Sequence, residues 1–239
     1  MNVLGVIPAR GGSKGIPRKA LACLNGRPLI DYTIQAAKRA HRLARVVVST
    51  DDPEIAEHAR ELGVEVPFLR PAELACDDTP ILPVLRHLLD QLQATDDDLP
   101  DAVCLLQPTS PLRTAEHIDQ AVGLLIQRGC DSVVSVVEVP HHCSPVSVMS
   151  CDEQGLLSPY LQGEGTRLTR RQDKPRVYAR NGPAVLVTRT AVIREQGSLY
   201  GESTTGMMMP REASIDIDEP LDLVIAQALL SHACRDDSE

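Results

Sequence analysis

Three stretches hold the residues most able to do chemistry. Residues 6–20 read "VIPARGGSKGIPRKA", with Gly11, Gly12 and Gly15 set among Arg10, Lys14, Arg18 and Lys19 and no acidic side chain. Glycines let main-chain N–H groups wrap an anion, and the cations add charge around it, so phosphate binding is the expectation and a solvated basic loop the alternative. It is neither a P-loop, because Lys14 precedes Gly15 and the glycine spacing differs, nor the glycine pattern of dinucleotide sites. Residues 107–113, "QPTSPLR", put Gln, Thr and Ser on a backbone held irregular by two prolines; this is either a ligand contact or an ordinary turn into a helix. Residues 214–222, "SIDIDEPLD", space Asp216 and Asp218 so that in a strand both carboxylates share one face and Ile215 and Ile217 the other. Two carboxylates with substrate phosphates are a common way to hold Mg²⁺. Alternatively, Asp218 or Glu219 caps the helix that starts near Pro220, and the two roles can coexist.

Two further groups are weaker. His141 and His142 are adjacent and have no suitably spaced Cys or acidic partner, so they do not indicate a metal site. The stretch "TRLTRRQDKPR", residues 166–176, supplies arginines suited to clamping a carboxylate, or simply a solvated loop.

The elements needed to position these groups follow from the apolar pattern. Residues 3–8 read as a buried strand, 29–40 as an amphipathic helix and 45–49 as a second strand. A helix then runs from Asp52 and Pro53 to near Gly63, followed by a strand at 64–69. Residues 81–92 read as helix, 102–106 as strand, 114–127 as a helix capped by Thr114, and 131–139 as strand. From Pro140 the texture becomes rich in Pro, Gly and charge, a β-rich insertion around 141–182. Strands at 185–187 and 214–217 and a helix at 220–231 close the chain. The fold class is α/β: one domain over residues 1–239, with a Rossmann-like, mostly parallel sheet, helices on both faces and the small insertion. In such sheets ligands bind at the carboxyl ends of the strands, where the basic loop and residues 107–113 both lie.

Composition narrows the function. The chain has 239 residues and a net charge of -9, which opposes broad binding to nucleic acid or anionic membranes. Aromatics are only 2 %, so the core must be aliphatic and base stacking is not a major device. There is no apolar run of about 18 residues and no signal-peptide pattern, so a cytoplasmic protein is expected. The seven cysteines form no C-x-x-C pair, and most are expected to be buried.

Five stretches in order, "IPARGGSKGIPRK", "VVVSTDD", "LRPAELA", "LLQPTSPLRT" and "SIDIDEPLDL", make the chain resemble the cytidylyltransferases that activate acidic 2-keto sugars, above all the acylneuraminate cytidylyltransferases or CMP-sialic acid synthetases. The resemblance spans nearly the whole chain. It implies that the anomeric hydroxyl of a sialic acid-like sugar attacks the α-phosphorus of CTP and expels pyrophosphate, with Mg²⁺ as cofactor. It implies catalytic roles for Arg10, Lys19 and Asp218, and nucleotide contacts from Ala9, Arg10, Gly11, Ser13, Lys14, Lys19, Arg70 and Asp77, with Arg70 reading cytosine. Gln107, Thr109, Ser110, Arg171 and Arg180 would meet the acceptor, and Asp216 and Asp218 the metal. The resemblance also implies a homodimer in which the insertion reaches the partner's site.

The chain departs from the family pattern in places. Ala20 stands where an asparagine usually follows the lysine, and no lysine follows the His pair in "HHCSPVSV". Ala179 holds the place of a second sugar-binding arginine, with Arg180 one residue late, and Pro183 stands where alanine is common. These departures fall mainly on the acceptor half. They leave open legionaminic or pseudaminic acid, a Kdo-like octulosonate or a phosphonate as acceptor, another nucleotide as donor, or a non-catalytic nucleotide-binding protein.

Overall fold

The computed structural model describes residues 1–13, 15–95, 99–161 and 170–236, with backbone alone for residue 171 and residues 233–236. The chain begins with β1 (Val3–Pro8), whose alternate side chains enter opposite aliphatic layers: Val3 and Ile7 on one face, Leu4 and Val6 on the other. A short 3-10 turn (Lys19–Leu21) follows the basic loop. A two-residue hairpin, β2 (Cys23–Leu24) and β3 (Arg27–Pro28), then turns through Asn25 and Gly26, both with positive φ. Then come α1 (Leu29–Arg39), β4 (Arg45–Ser49), α2 (Pro53–Glu61), α3 (Ile81–Thr95), β5 (Ala102–Leu105), α4 (Ala115–Arg128) and β6 (Ser132–Glu138). The insertion holds an antiparallel pair, β7 (Met149–Cys151) and β8 (Leu157–Pro159), and β9 (Tyr178–Arg180). After it come β10 (Leu186–Arg189), α5 (Thr190–Arg194), β11 (Thr204–Met208) and α6 (Pro220–Asp236).

The main sheet has the order β11-β6-β10-β5-β1-β4, with β9 paired to the end of β6. Neighbours of β1 and the β11–β6 pair are parallel, while β10 runs antiparallel between β5 and β6. Helices α1, α2 and α4 bury Ile34, Ile55 and Ile118 on one face; α3 and α5 bury Leu88 and Ile193 on the other. Strands covered on both faces read as continuous apolar runs, which is why β1, β4 and β5 were legible as strands. No helix among the described residues is long and apolar enough to cross a membrane.

Several expectations are corrected. Residues 64–69 form only two isolated bridges, Glu65 to Val47 of β4 and Leu69 to Thr50 just beyond it, because Pro67 has no N–H to offer a ladder. Residues 215–218 are extended but unladdered, and the strand in that part of the chain is β11, at Thr204–Met208. Ile217 still points inward: it is fully buried with Ile16, Leu24, Leu29 and Ala226, and its N–H donates to the Thr109 carbonyl at 2.7 Å. Most described cysteines are exposed rather than buried. Cys104 in β5 and Cys130 just before β6 are enclosed, whereas Cys23, Cys76, Cys143 and Cys151 lie on turns and short surface strands.

Because β1, β4, β5, β6 and β11 all run the same way, the segments following them emerge at one edge of the sheet. That edge receives the basic loop, residues 50–52, residues 106–113 and residues 209–218. Ile217→Ala removes the side chain that seats the acidic segment, and it is expected to cost about 2–5 kcal/mol. A lower urea midpoint at unchanged slope would report this; an unshifted midpoint would mean that Ile217 is not an anchor.

Candidate active site

Residues from opposite ends of the chain line one cavity of about 450 Å³ at this edge. Ala9, Arg10, Ser13 and Lys19 come from the first loop, Arg70 and Asp77 from the segments after β4, Gln107 and Thr109 from the turn after β5, and Asp216 and Asp218 from near the end. Ala20 also lines it and belongs to the main aliphatic cluster, with only 5 % of its surface exposed. The position that departs from the family is therefore part of the core.

The basic loop is braced by acids from other elements. The Gly11 N–H donates to Asp51 Oδ1 at 3.0 Å, and a Cβ on Gly11 would stand 2.8 Å from Asp52 Oδ2. Arg18, with φ 50°, pairs with Asp52 at 3.1 Å and Glu54 at 2.7 Å, which directs it to the start of α2 and off the cavity. Asp52 also caps α2, accepting from the Glu54 and Ile55 N–H groups. Burial raises its pKa, but those bonds and Arg18 outweigh it and hold the carboxyl below its ordinary value. Arg10 crosses the cavity mouth to Asp77 at 2.9 Å and to the Cys76 carbonyl at 3.1 Å.

Arg70 is buried in the wall. Its Nη2 donates to the Ser49 carbonyl at 2.5 Å and Nε to the Ser49 hydroxyl at 3.2 Å. Burial lowers its pKa; Asp51 opposes this and Arg10 adds to it. Lys19 donates to Asp218 Oδ1 at 2.9 Å and to the Ile217 carbonyl at 2.7 Å, so the first loop and the acidic segment meet through one ammonium.

Among the described residues no N–H of α6 bonds the side chain of Asp218 or Glu219. Asp222, in the first turn of α6, reaches back and accepts from both of their N–H groups at 2.9 and 2.8 Å. The Asp218 carboxylate is left to the cavity. Asp216 is half-buried, and its pKa is raised by that burial and by the charges of Asp218 and Asp222, against a hydrogen bond from Thr109 and the charge of Lys19. Its Oδ1 is buried with no hydrogen-bond partner. Among the described residues no cluster of three or more His, Cys, Asp or Glu could hold a metal. Two carboxylates, one with an orphaned oxygen, nevertheless fit Mg²⁺ completed by substrate phosphates.

Two glycines are required by the close approach of other groups. A Cβ on Gly15 would run into the Asp218 carbonyl, and Gly182, at φ 113°, sits with Asp216 Oδ2 3.1 Å from where its Cβ would be. Gly182 is a lining residue that the sequence reading did not assign, although "NGP" is a turn signal.

Other expected residues lie elsewhere. Ser110 is buried off the lining, its hydroxyl without a hydrogen-bond partner. Arg180 lies outside this cavity, its guanidinium 5.2 Å over the Tyr200 ring. Lys14 and the Arg171 side chain fall outside the described residues. His141 and His142 line a separate cleft with Lys174, Arg176 and Arg211.

Residues 4–229 match the family described as Cytidylyltransferase. The chain belongs to that family. A relative of this cytidylyltransferase in Legionella pneumophila, CMP-N,N'-diacetyllegionaminic acid synthase, is 38% identical over 232 residues, 96% of this chain and 97% of its own. Pseudaminic acid cytidylyltransferase of Campylobacter jejuni is 31% identical over 229 residues, 96% of each chain. N-acylneuraminate cytidylyltransferase of Streptococcus agalactiae is 32% identical over 240 residues, 99% of this chain and 55% of that longer protein. The solved structure of CMP:2-keto-3-deoxy-manno-octonic acid synthetase complexed with CTP superposes with a TM-score of 0.68 over 98% of this chain and 100% of that one. At 17% identity that likeness is one of fold.

Gly15→Ala tests the loop contact. Pushing the loop off the Asp218 carbonyl should weaken CTP binding about tenfold or more, about 1.4 kcal/mol, in titration calorimetry. Affinity equal to that of the unaltered protein would show that the contact does not shape the site.

Proposed function

We propose that this cytidylyltransferase moves CMP from CTP to the anomeric hydroxyl of an acidic nonulosonic sugar and releases pyrophosphate, acting as a Mg²⁺-dependent homodimer in the cytoplasm. The observation that carries the reading is the 2.9 Å contact between Lys19 of the phosphate loop and Asp218 of the acidic pair inside one cavity. Nucleotidyl transfer asks for positioning and charge neutralisation, and these residue types supply both. The relatives named for legionaminic, pseudaminic and acylneuraminic acids favour the nonulosonate class of acceptor.

Arg10 and Lys19 take the triphosphate, whose oxygens compete with Asp77 and Asp218 for the two cations. Arg70, anchored on Ser49 through Nε and Nη2, is assigned to the cytosine base. Gln107 and Thr109 orient the acceptor so that its hydroxyl oxygen attacks the α-phosphorus while the bond to pyrophosphate breaks. Asp216 and Asp218 would hold Mg²⁺ with phosphate oxygens of the nucleotide, where it would offset charge on the triphosphate and on departing pyrophosphate.

The dimer is assigned to the insertion. Leu157 and Tyr160, 64% and 68% exposed, join Met149 and Leu156 as exposed apolar side chains on and beside the β7–β8 pair, the type of side chain that a second copy covers.

Two measurements test these assignments. Pure protein with CTP, Mg²⁺ and a panel of nonulosonates, an octulosonate and a phosphonate is expected to yield a CMP-nonulosonate by mass spectrometry. UTP should be a poorer donor, and EDTA should stop turnover; a CMP-octulosonate or CMP-phosphonate alone would replace the proposed acceptor class, and no product from any acid would overturn the reaction. Light scattering should give twice the chain mass, and Leu157→Glu should give a folded monomer; a monomeric unaltered protein would remove the dimer.

A further inference from the structure

Arg113 ends the "QPTSPLR" stretch, and it is buried, with 2% of its surface exposed. No carboxylate pairs with it in the described structure. Nη1 donates to the Gln107 carbonyl at 3.1 Å and the Ala184 carbonyl at 2.7 Å, and Nη2 to Thr33 Oγ1 of α1 at 2.6 Å. Its Nε has no hydrogen-bond partner. Burial pulls its pKa down to about 10, which leaves the guanidinium charged at neutral pH. Burying a cation without an acidic partner is costly, and here only neutral oxygens offset that cost.

Two of those oxygens are carbonyls in the two backbone segments that bring Gln107, Pro108, Thr109 and Gly182 to the cavity, and the third is a hydroxyl on α1. Gln107 opens the turn that presents Pro108 and Thr109, and Ala184 lies two residues after Gly182, which faces Asp216. Thr109 passes the constraint on, because its carbonyl accepts from the N–H of Ile217, the residue after Asp216. Other lining residues have separate ties: Arg10 to Asp77 and Arg70 to Ser49.

We propose that Arg113 is a positioning residue for the transfer, a buried fork that sets the spacing between the 107–109 turn and Gly182 and, through Thr109, the seat of Asp216, while leaving the Arg10 and Arg70 wall unchanged. The inference rests on the reading of this cavity as a CTP-dependent transferase site for an acidic acceptor.

The test compares Arg113→Lys and Arg113→Met with the unaltered protein. In the lysine variant, kcat is expected to fall about tenfold and the acceptor KM to rise about fivefold, with the CTP Kd within about twofold. Amide hydrogen exchange, read without any acceptor, should speed up at Ile217 and Val185 and stay unchanged in β4. The methionine variant should show the same pattern more strongly; if it does not fold, the lysine variant decides, since its ammonium can still reach one carbonyl. Unchanged exchange at Ile217 overturns the proposal, as does equal weakening towards CTP and acceptor. Failure of the unaltered protein to turn over any acid would remove the assigned reaction, and the exchange result would still decide the positioning role.

Discussion

The hydrogen bond from the Ile217 N–H to the Thr109 carbonyl joins the turn after β5 to the acidic segment, two stretches that no sheet ladder joins. Residues 215–218 have no strand partner, so their place depends on this bond, on the burial of Ile217 and on the close fit of Gly15 under the Asp218 carbonyl. The alternation of a strand survives without the strand: Ile217 goes inward and the carboxylates face the cavity. Once the segment is seated, Asp216 is forced into partial burial, and Asp222 fixes the entry to α6 by accepting from the Asp218 and Glu219 N–H groups. Geometry of this kind is set before any ligand arrives, which is where much of the advantage of a positioned reaction lies.

The charge of the first loop is organised by the same edge. A stretch without one acidic residue meets Asp51, Asp52, Glu54, Asp77 and Asp218, each delivered by another segment. Exposed pairs such as Arg18 with Glu54 add little stability. Their effect is directional, since they decide which cations are turned to the helix and which line the cavity. An acidic chain with a basic loop is thus consistent: the acids hold the cations in place.

Much of this was legible in the residues. Buried parallel strands announce themselves as apolar runs, so β1, β4, β5 and the edge where their loops gather could be read directly. That Asp216 and Asp218 share one side of their segment was legible, and both line the cavity, but the expected strand did not form, because spacing reveals which way side chains alternate and says nothing of whether a neighbour supplies a ladder. β11 was missed because "TTGMM" carries a glycine and two methionines where a strand signal would show branched residues. The short α5 was missed too, since five residues are fewer than two helical turns and show no period. Nothing in the sequence marks Arg113 as buried, because its partners are carbonyls from residues 107 and 184 that no local pattern connects. Ala20 reads as a lost polar contact, whereas the structure packs it with the aliphatic interior.

The antiparallel pairing of β9 with β6 bears on how such a chain can change over generations. Glu138 and Tyr178 are partners in that pair, so the chain between them leaves and re-enters the sheet one strand spacing apart, about 4.8 Å. A loop closed between adjacent anchors can lengthen at small entropic cost, about 0.6 kcal/mol for each doubling. The chain between those two residues is therefore free to be rebuilt or exchanged as a cassette, while β9 and the turn through Gly182 and Ala184 stay with the 107–113 turn and the acidic segment.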